Sequence, residues 1–436
     1  MIKSLKKYEK GFYIKALCIS AVASNQGKTI LTTALLYHYK NSVRPFKIGP
    51  DFIDPLFHEK ICQTPSINLD TCVMNKAQVN WIFNNYNDKE ISIVEGVMGF
   101  YDGMDKNASA YDVTKLLNIP TVIILDASGS YITLSAIIKG LKTYQEGNTI
   151  KAVVFNHVSS IGHFELIKNQ VLKDFDDIEV LGWIQNKLDT LESTHLGLDL
   201  KDNELNKLEI LSKEVLKNID LEKLEKIASF KEKEILDYPF EKVEKINKNI
   251  ALVNDENFSF LYYDNLQFLK ETFNKVTIIN AIENDVIPKD TDIVYIVGGY
   301  IETQKAYEKL ENSKNFKNSL LKHAKENKAI YAECAGLLFL SNRVDDKKMM
   351  GLLDLDFTLG KRFYRMGYYE NDLGITGHAF HYTRLIDEQK VGVYKLYKKD
   401  PKDGTYAAFK NNNVFGTYLH TMFRNNFNKI KKYMNL

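Results

Sequence analysis

Short apolar runs with polar C-terminal ends recur through the first half of this chain, and stretches with helical spacing separate them. They are KALCISAVA (15–23), ISIVEG (91–96), PTVIILDAS (120–128), KAVVFNHV (151–158) and IEVLGWI (178–184). Strands that alternate with helices predict an open parallel α/β sheet. Active sites of such sheets lie beyond the C-terminal ends of the strands, and the unusual polar residues of this chain fall there. Residues 201 to 248 change character. They are rich in Lys, Glu and Leu with helical spacing, as in LEKLEKIASFKEKEILD, and read as one or two surface helices followed by a linker. The strand pattern restarts at NIALVNDE (249–256) and continues through KVTIIN (275–280), DIVYIVGG (292–299) and KAIYAECAG (328–336). A chain of 436 residues exceeds what one core normally serves. The expected division is a first domain over 1–240, a linker over 241–248 and a second α/β domain over 249–436.

The bulk numbers exclude several classes. Hydrophobic content of 44% suits a globular protein, and a net charge of +2 gives no general reason to expect nucleic acid or a membrane surface as partner. Cysteines at 18, 62, 72 and 334 have no C-x-x-C spacing, which argues against a disulfide framework or structural zinc and fits a reducing compartment. The basic start MIKSLKKYEKGFYIK is followed by no continuous apolar stretch of the secretory kind. A cytoplasmic location is expected.

The densest cluster of special residues is PFKIGPDFIDP (45–55), read as one loop. It holds Lys47, Asp51, Asp54, a Gly-Pro turn and two further prolines. Lysine for a phosphoryl group and carboxylates for Mg²⁺ are what an ATP-using site needs. Upstream lies SNQGKT (24–29). The strict phosphate loop G-x-x-x-x-G-K-[ST] fails, because Val22 stands at its first glycine, but Gly27-Lys28-Thr29 survives. Lys28 can reach the β- and γ-phosphates, Thr29 can ligate Mg²⁺, and the following helix offers N–H groups. Glu95 ends an apolar strand where a carboxylate can hold Mg²⁺ opposite that loop. EGVMGFYDG (95–103) adds glycines and Asp102, as in a loop whose backbone approaches a ligand.

In the second half, Cys334 follows the apolar strand AIYAE and precedes Ala335-Gly336. A strand-to-helix turn there exposes the thiol above the sheet and sets a backbone N–H, that of Ala335, beside it as an oxyanion donor. His420, in VFGTYLHTMF, is the candidate base, and Gly298-Gly299 can supply a second oxyanion N–H. The bland alternative is a small core cysteine. Cys18, Cys62 and Cys72 take that reading. His38, His58, His157 and His323 read as surface or packing residues, and His378 with His381 as a hydrogen-bonded structural pair in a polar, aromatic loop.

These motifs together resemble the cobyrinic acid a,c-diamide synthase family over nearly the whole chain. The carrying segments are SNQGKT, RPFKIGPDFIDPLFH, INLD (67–70), VEGVMGFYDG, HLGL (195–198), NDENFSF (254–260), VGGYIE, YAECAG, GHAFHY and GTYLHTMF, in family order. The resemblance implies an N-terminal P-loop NTPase-like parallel sheet similar to dethiobiotin synthetase and a C-terminal class I glutamine amidotransferase-like α/β domain. It implies amidation of the a and c acetates of a corrinoid, with ATP, Mg²⁺ and glutamine, and a homodimer is compatible with it. Carried onto this sequence, Gly27, Lys28, Thr29 and Asn156 belong to the ATP site, and Thr29, Asp51 and Glu95 to the metal. Lys47 stabilises the transferred phosphoryl. Phe52, Ile53, Asp54 and Asp102 place or react the tetrapyrrole carboxylates. Cys334 forms the glutamyl thioester with His420 as base, and the Gly299 and Ala335 N–H groups hold the oxyanion.

The chain departs from the family pattern at several positions. Ala21 and Asn25 replace early loop glycines, Ile301 a proline, Ala335 a glycine and Ala379 a glutamate. Met422 stands where many class I glutaminases carry a triad glutamate, so a Cys–His pair is expected. Three alternatives stay open: a nickel-sirohydrochlorin a,c-diamide synthase, a chain driven by ammonia alone, and a partition-type switch ATPase. The last leaves Cys334 and His420 without a task.

Overall fold

The structure, a computed structural model, describes residues 13–188, 204–231, 237–398 and 400–436. The chain divides into two compact units, Met1–Pro239 and Phe240–Leu436. The HLGL segment lies outside the described residues.

The first unit alternates strand and helix. Its elements are β1 (Tyr13–Ala21), α1 (Lys28–His38), β2 (Val43–Ile48), α2 (Ile53–Cys62), β3 (Ile67–Leu69), α3 (Lys76–Tyr86), β4 (Ile91–Glu95), α4 (Ala110–Leu117), β5 (Thr121–Asp126), α5 (Ile132–Tyr144), β6 (Ile150–Val158), α6 (Ile161–Asp174) and β7 (Glu179–Gln185). The strands lie in the order β3-β2-β4-β1-β5-β6-β7 and pair in parallel throughout. Ala16 to Ile19 of β1 are wholly buried, as are Val122 to Ile124 of β5, which is why these strands read as continuous apolar runs and not as alternation. The chain passes from β1 outward to β3 and returns to place β4 beside β1. The crevice at this reversal, beyond the ends of β2, β4 and β1, is where a doubly wound sheet takes its ligand.

The Lys/Glu-rich stretch yields α7 (Glu204–Leu216), α8 (Leu221–Ile227) and a short strand β8 (Ser229–Lys231) antiparallel to β1. These helices are more than surface decoration. Leu208, Leu211 and Val215 of α7 are buried in one cluster with Leu31, Ala34 and Leu35 of α1. Both sets have the three- and four-residue spacing of an apolar helix face.

The second unit opens with β9 (Ile246–Val253), three residues ahead of the apolar run that marks it in the sequence. It continues with α9 (Tyr263–Thr272), β10 (Phe273–Ile279), β11 (Ile293–Ile296), α10 (Gln304–Glu311), α11 (Lys314–Lys325), β12 (Ala329–Glu333) and α12 (Ala335–Leu340). Small strands follow: β13 (Arg343–Val344), β14 (Lys347–Lys348) and β15 (Asp356–Leu359). Then come β16 (Arg365–Asn371), β17 (Thr376–His381), β18 (Thr383–Leu385), β19 (Tyr394–Tyr397), β20 (Thr405–Asn411), β21 (Val414–Thr417) and α13 (Phe423–Ile430). The main sheet runs β10-β9-β11-β12-β21-β20-β19-β16-β17. It is parallel from β10 to β21 and antiparallel beyond. Strands β14, β13, β15 and β18 form a separate small sheet.

Two local expectations are corrected. Residues 45–55 are not one loop: β2 runs through Lys47 to Ile48, and α2 begins at Ile53, leaving a short turn at Gly49–Phe52. Lys47 therefore stands on a rigid strand, with Phe46 and Ile48 fully buried on either side. GHAFHY is likewise not a loop but lies mostly on β17.

Candidate active site

In the first unit the polar residues converge at the strand ends. Lys47 of β2 and Glu95 of β4 are register partners, so the sheet itself sets them side by side. Lys47 Nζ donates to Asp54 Oδ2 at 2.5 Å, Glu95 Oε1 at 3.4 Å and the Gly96 carbonyl at 3.3 Å. Thr29, in the first turn of α1, donates to Glu95 Oε1 at 3.0 Å. Glu95 is 1% and Lys47 4% exposed, while Thr29 and Asp54 are half-buried at the edge of the cluster. Burial pushes the Glu95 carboxyl up, but Lys47, then His58 and Thr29, outweigh it and leave it at about 2. Burial depresses the Lys47 ammonium, yet Glu95, Asp54 and Asp51 carry it above its ordinary value. Burial and the neighbouring Glu95 raise Asp54 to about 6 against the pull of Lys47.

The glycine turn that opens α1 has a specific shape. Gly27 adopts φ 103°, and a Cβ there would lie 2.5 Å from Asn156 Nδ2. Asn156 uses that amide to hold the Gln26 carbonyl at 3.0 Å, which fixes the turn from β6. Lys28 Nζ donates to the carbonyls of Ala23, at 2.8 Å, and Met98, at 2.6 Å. Burial and the nearby Lys47 lower its pKa. Met98 is in a left-handed conformation, and Gly99 presses on the Val22 carbonyl, 2.4 Å from where its Cβ would be.

The turn between β2 and α2 is held by side chains. Asp51 accepts the N–H groups of Ile53 and Asp54 and so caps α2, while Asn68 donates to the carbonyls of Gly49 and Asp51. Phe52 is turned inward, 7% exposed, and Ile53 is half-buried. Asp102 is exposed and accepts the Gly99 N–H.

His58 is the residue that sequence reasoning misplaced. It is 1% exposed on α2, with Nε2 at 2.8 Å from Glu95 Oε2 and Nδ1 at 3.2 Å from Ser66 Oγ. The signal was its four-residue spacing from Asp54, which puts both on one helix face. His157 also has a defined partner, Asp126, at 3.1 Å.

Mg²⁺ asks for hard oxygens and often takes only one or two from the protein, the rest from phosphates and water. No group of three or more His, Cys, Asp or Glu able to hold a metal occurs among the described residues. Thr29 Oγ1 and Glu95 Oε1, 3.0 Å apart on rigid elements, fit an ion that arrives with nucleotide. Asp51 has remaining lone pairs but is committed to its cap.

The second unit builds a different kind of site. Cys334 sits between β12 and α12 with φ 47° and ψ −105°, a strained elbow. The elbow is locked by Cys334 N–H to the Thr417 carbonyl at 2.7 Å and Leu338 N–H to the Cys334 carbonyl at 3.1 Å. Gly336 permits the tight turn, since its Cβ would lie 2.6 Å from the Ile296 carbonyl. The backbone N–H groups of Ala335 and Gly299 lie near enough to the Cys334 sulfur to favour its thiolate. Gly298 packs against the pair: its Cβ would lie 2.3 Å from His420 Cε1 and 3.2 Å from Cys334 Cβ. Cys334, Gly298, Gly299, Ala335 and His420 thus meet in one place.

Burial, then Glu302, raises the Cys334 thiol above its ordinary value, against the two N–H groups. Burial, then His378, lowers His420 to about 3. The expected His378–His381 pair does not form, because residues three apart on a strand point to opposite faces. His378 instead exchanges both backbone hydrogen bonds with His420, at 3.2 and 2.8 Å. His381 stacks on Tyr418 and lies 3.3 Å from Arg365. Ala379 is wholly buried in β17, opposite Gly367 of β16. Two acids near the nucleophile, Glu302 and Glu333, went unread in the sequence. A glutamate in the otherwise apolar run AIYAE was the available signal.

A strained Cys elbow with two backbone donors and a buried His marks the glutamine amidotransferase class, here in one chain with a parallel-sheet unit whose strand ends gather lysines and carboxylates. The sequence model of the CobB/CobQ-like glutamine amidotransferase domain matches residues 249–427. Curated relatives named cobyrinate a,c-diamide synthase match nearly end to end. The Fusobacterium nucleatum protein is 36% identical, covering 94% of this chain and 98% of its own. The Saccharolobus solfataricus protein is 33% identical over the same shares, 94% and 98%. The Methanocaldococcus jannaschii protein is 32% identical, covering 93% of this chain and 96% of its own. The chain belongs to the cobyrinate a,c-diamide synthase family, and it is an amidating ligase with glutamine as amido donor. No helix among the described residues is long and apolar enough to cross a membrane.

Proposed function

We propose that this enzyme amidates the a and c acetate carboxylates of cobyrinic acid through acyl phosphates, with ammonia from glutamine. The observation that carries the reading is the hydrogen-bonded Thr29–Glu95–Lys47–Asp54 cluster beside the Lys28 turn, in a chain that also holds the Cys334 elbow. A carboxylate is a poor electrophile, and transfer of the γ-phosphoryl of ATP turns its oxygen into a leaving group. Lys28 and Lys47, both largely buried, bind the moving phosphoryl as point charges. Mg²⁺ held by Thr29 and Glu95, with Asp51 beside them, would supply further neutralisation of the phosphates. Asn156 and Gly27 keep the glycine turn in its phosphate-receiving shape. Ile53, Phe52, Asp54 and Asp102 line the place for the tetrapyrrole side chain. Ammonia attacks the acyl carbon, the amide forms and phosphate leaves.

Ammonia comes from glutamine. The Cys334 thiolate attacks the side-chain amide carbon after its proton passes to His420. The N–H groups of Gly299 and Ala335 stabilise the oxyanion, and His420 protonates the departing ammonia. Water then hydrolyses the thioester to glutamate. Mass-spectrometric product analysis with cobyrinic acid and nickel-sirohydrochlorin in parallel, each with ATP and glutamine, tests the substrate. A mass loss of about 1 Da per converted carboxylate on cobyrinic acid, the exchange of OH for NH₂, is the expected result. Turnover of only the nickel compound, or ATP hydrolysis without amide, overturns the reading.

A further inference from the structure

We infer that Glu333, the residue immediately before the nucleophile, is the positioning residue for His420 and stands in for the missing triad glutamate. The inference rests on the reading of Cys334 and His420 as the glutaminase pair. Its basis is geometric. Glu333 ends β12 and is 2% exposed. Its Oε2 lies 4.0 Å from His420 Nδ1. The carboxyl is pinned from two strands: Tyr295 of β11 donates to Oε2 at 2.9 Å and Tyr331 of β12 donates to Oε1 at 3.2 Å. Tyr295 and Tyr331 are themselves register partners, so two neighbouring strands aim their hydroxyls at one acceptor.

A buried carboxyl with two hydroxyl donors is costly to build for packing alone, because apolar residues of that volume would serve the core as well. Its position answers a need of the chemistry. The base must keep its proton on Nδ1 and present Nε2 to the thiol. An acceptor oxygen on the Nδ1 side fixes that tautomer and ring plane. The carboxyl keeps an acceptor oxygen in either protonation state. A 4.0 Å approach is of the kind that tightens when substrate closes the site. In the step itself the thiol proton passes to Nε2, the sulfur forms its bond to the amide carbon as the carbonyl π pair moves onto oxygen, and the Nδ1 proton stays against Glu333. His378 holds the His420 backbone through two hydrogen bonds, while Glu333 approaches its ring nitrogen.

The test is a kcat and KM comparison on the full chain. Glu333→Met keeps the volume and removes the acceptor. The expected result is a fall in glutamine-dependent kcat of about 100-fold with KM for glutamine little changed. Ammonia-driven amidation should be retained. Glu333→Gln, which restores an acceptor oxygen, should recover at least about tenfold of the loss. A Met variant with normal kcat, or a Gln variant no better than the Met variant, overturns the inference. If the Met variant does not fold, Glu333→Asp decides. It withdraws the carboxyl by about 1.5 Å, and unchanged kcat there is equally fatal. Cys334→Ala in the same assays separates the two ideas. If it still consumes glutamine, the glutaminase reading fails; if it does not while Glu333→Met is normal, only the positioning role fails.

Discussion

Gly298→Ala gives a calculable disturbance of the glutaminase pair. Gly298 is not among the positive-φ residues, so alanine carries no backbone penalty there. Its Cβ, however, would lie 2.3 Å from His420 Cε1, 3.1 Å from His420 Nδ1 and 3.2 Å from Cys334 Cβ. Carbon–carbon contacts settle at about 3.5–4.0 Å, so the imidazole must retreat by about 1 Å. It is 2% exposed and tied to His378 through the backbone, so the retreat is a tilt of the ring away from the thiol. Misplacement by about 1 Å costs on the order of 100-fold in rate, equivalent to about 2.7 kcal/mol of transition-state stabilisation. The assay is glutamate release from glutamine, run beside amidation with ammonium chloride. Glutamate release should fall by about that factor while ammonia-driven amidation is unchanged. Glutamine turnover within about threefold of wild type would refute the placement of His420 against Gly298. Parallel loss of both activities would mean overpacking had damaged the fold instead.

Other perturbations separate the two chemistries. Cys334→Ala should abolish glutamine-dependent amidation in a product assay and leave ammonia-dependent amidation intact. Glu95→Gln should lower ATP-dependent amidation by at least about 100-fold, because it removes the anion shared by Lys47, His58 and Thr29, and glutaminase turnover should change far less. Ile53→Ala should release monoamide, seen by mass spectrometry, with KM for ATP unchanged; clean diamide at a uniformly lower rate would remove Ile53 from substrate placement. His420 is held neutral to about pH 3, whereas the unfolded imidazole takes a proton near about 6.5. The unfolded state therefore binds protons first, and stability is lost as pH falls below that value. Thermal melts of His420→Gln should drop less between pH 7 and pH 5 than those of wild type, and equal drops would contradict the buried neutral histidine.

The parallel cores were legible because a strand covered on both faces is written as an unbroken apolar run, as in TVIILD of β5 and IVYI of β11. The nucleophile elbow was legible for a related reason, since Cys-Ala-Gly interrupts such a run with small residues. Less legible was the antiparallel extension, where β16 and β17 expose Met366 and Phe380 and bury Arg365 and His381, so neither polarity nor alternation marks them. Lys47 was placed in a loop because lysine and proline break an apolar pattern. In the fold its charge is answered by Glu95 and Asp54, and the strand tolerates it. His58 and Glu333 escaped for one shared reason. Their partners, Glu95 and His420, lie far away in sequence, and only tertiary structure shows that a buried polar side chain has somewhere to bond.

Cys334 and His420 leave neighbouring strands, for β12 and β21 pair directly, with Glu333 opposite Thr417. Everything from Ser341 to Asn413 is therefore a detour that departs from one strand and returns to the next. The reacting distance is set by a strand spacing of about 4.8 Å, not by the length of the intervening chain. Lengthening a loop in that detour costs only about 0.6 kcal/mol per doubling. A few glycines and serines inserted in the exposed turn at Asp387–Lys390 should lower the melting temperature slightly and leave glutamine kcat untouched. The exposed turn within the detour can thus be lengthened at low cost, while β12, β21 and the β17 strand that holds His420 through its backbone cannot be disturbed.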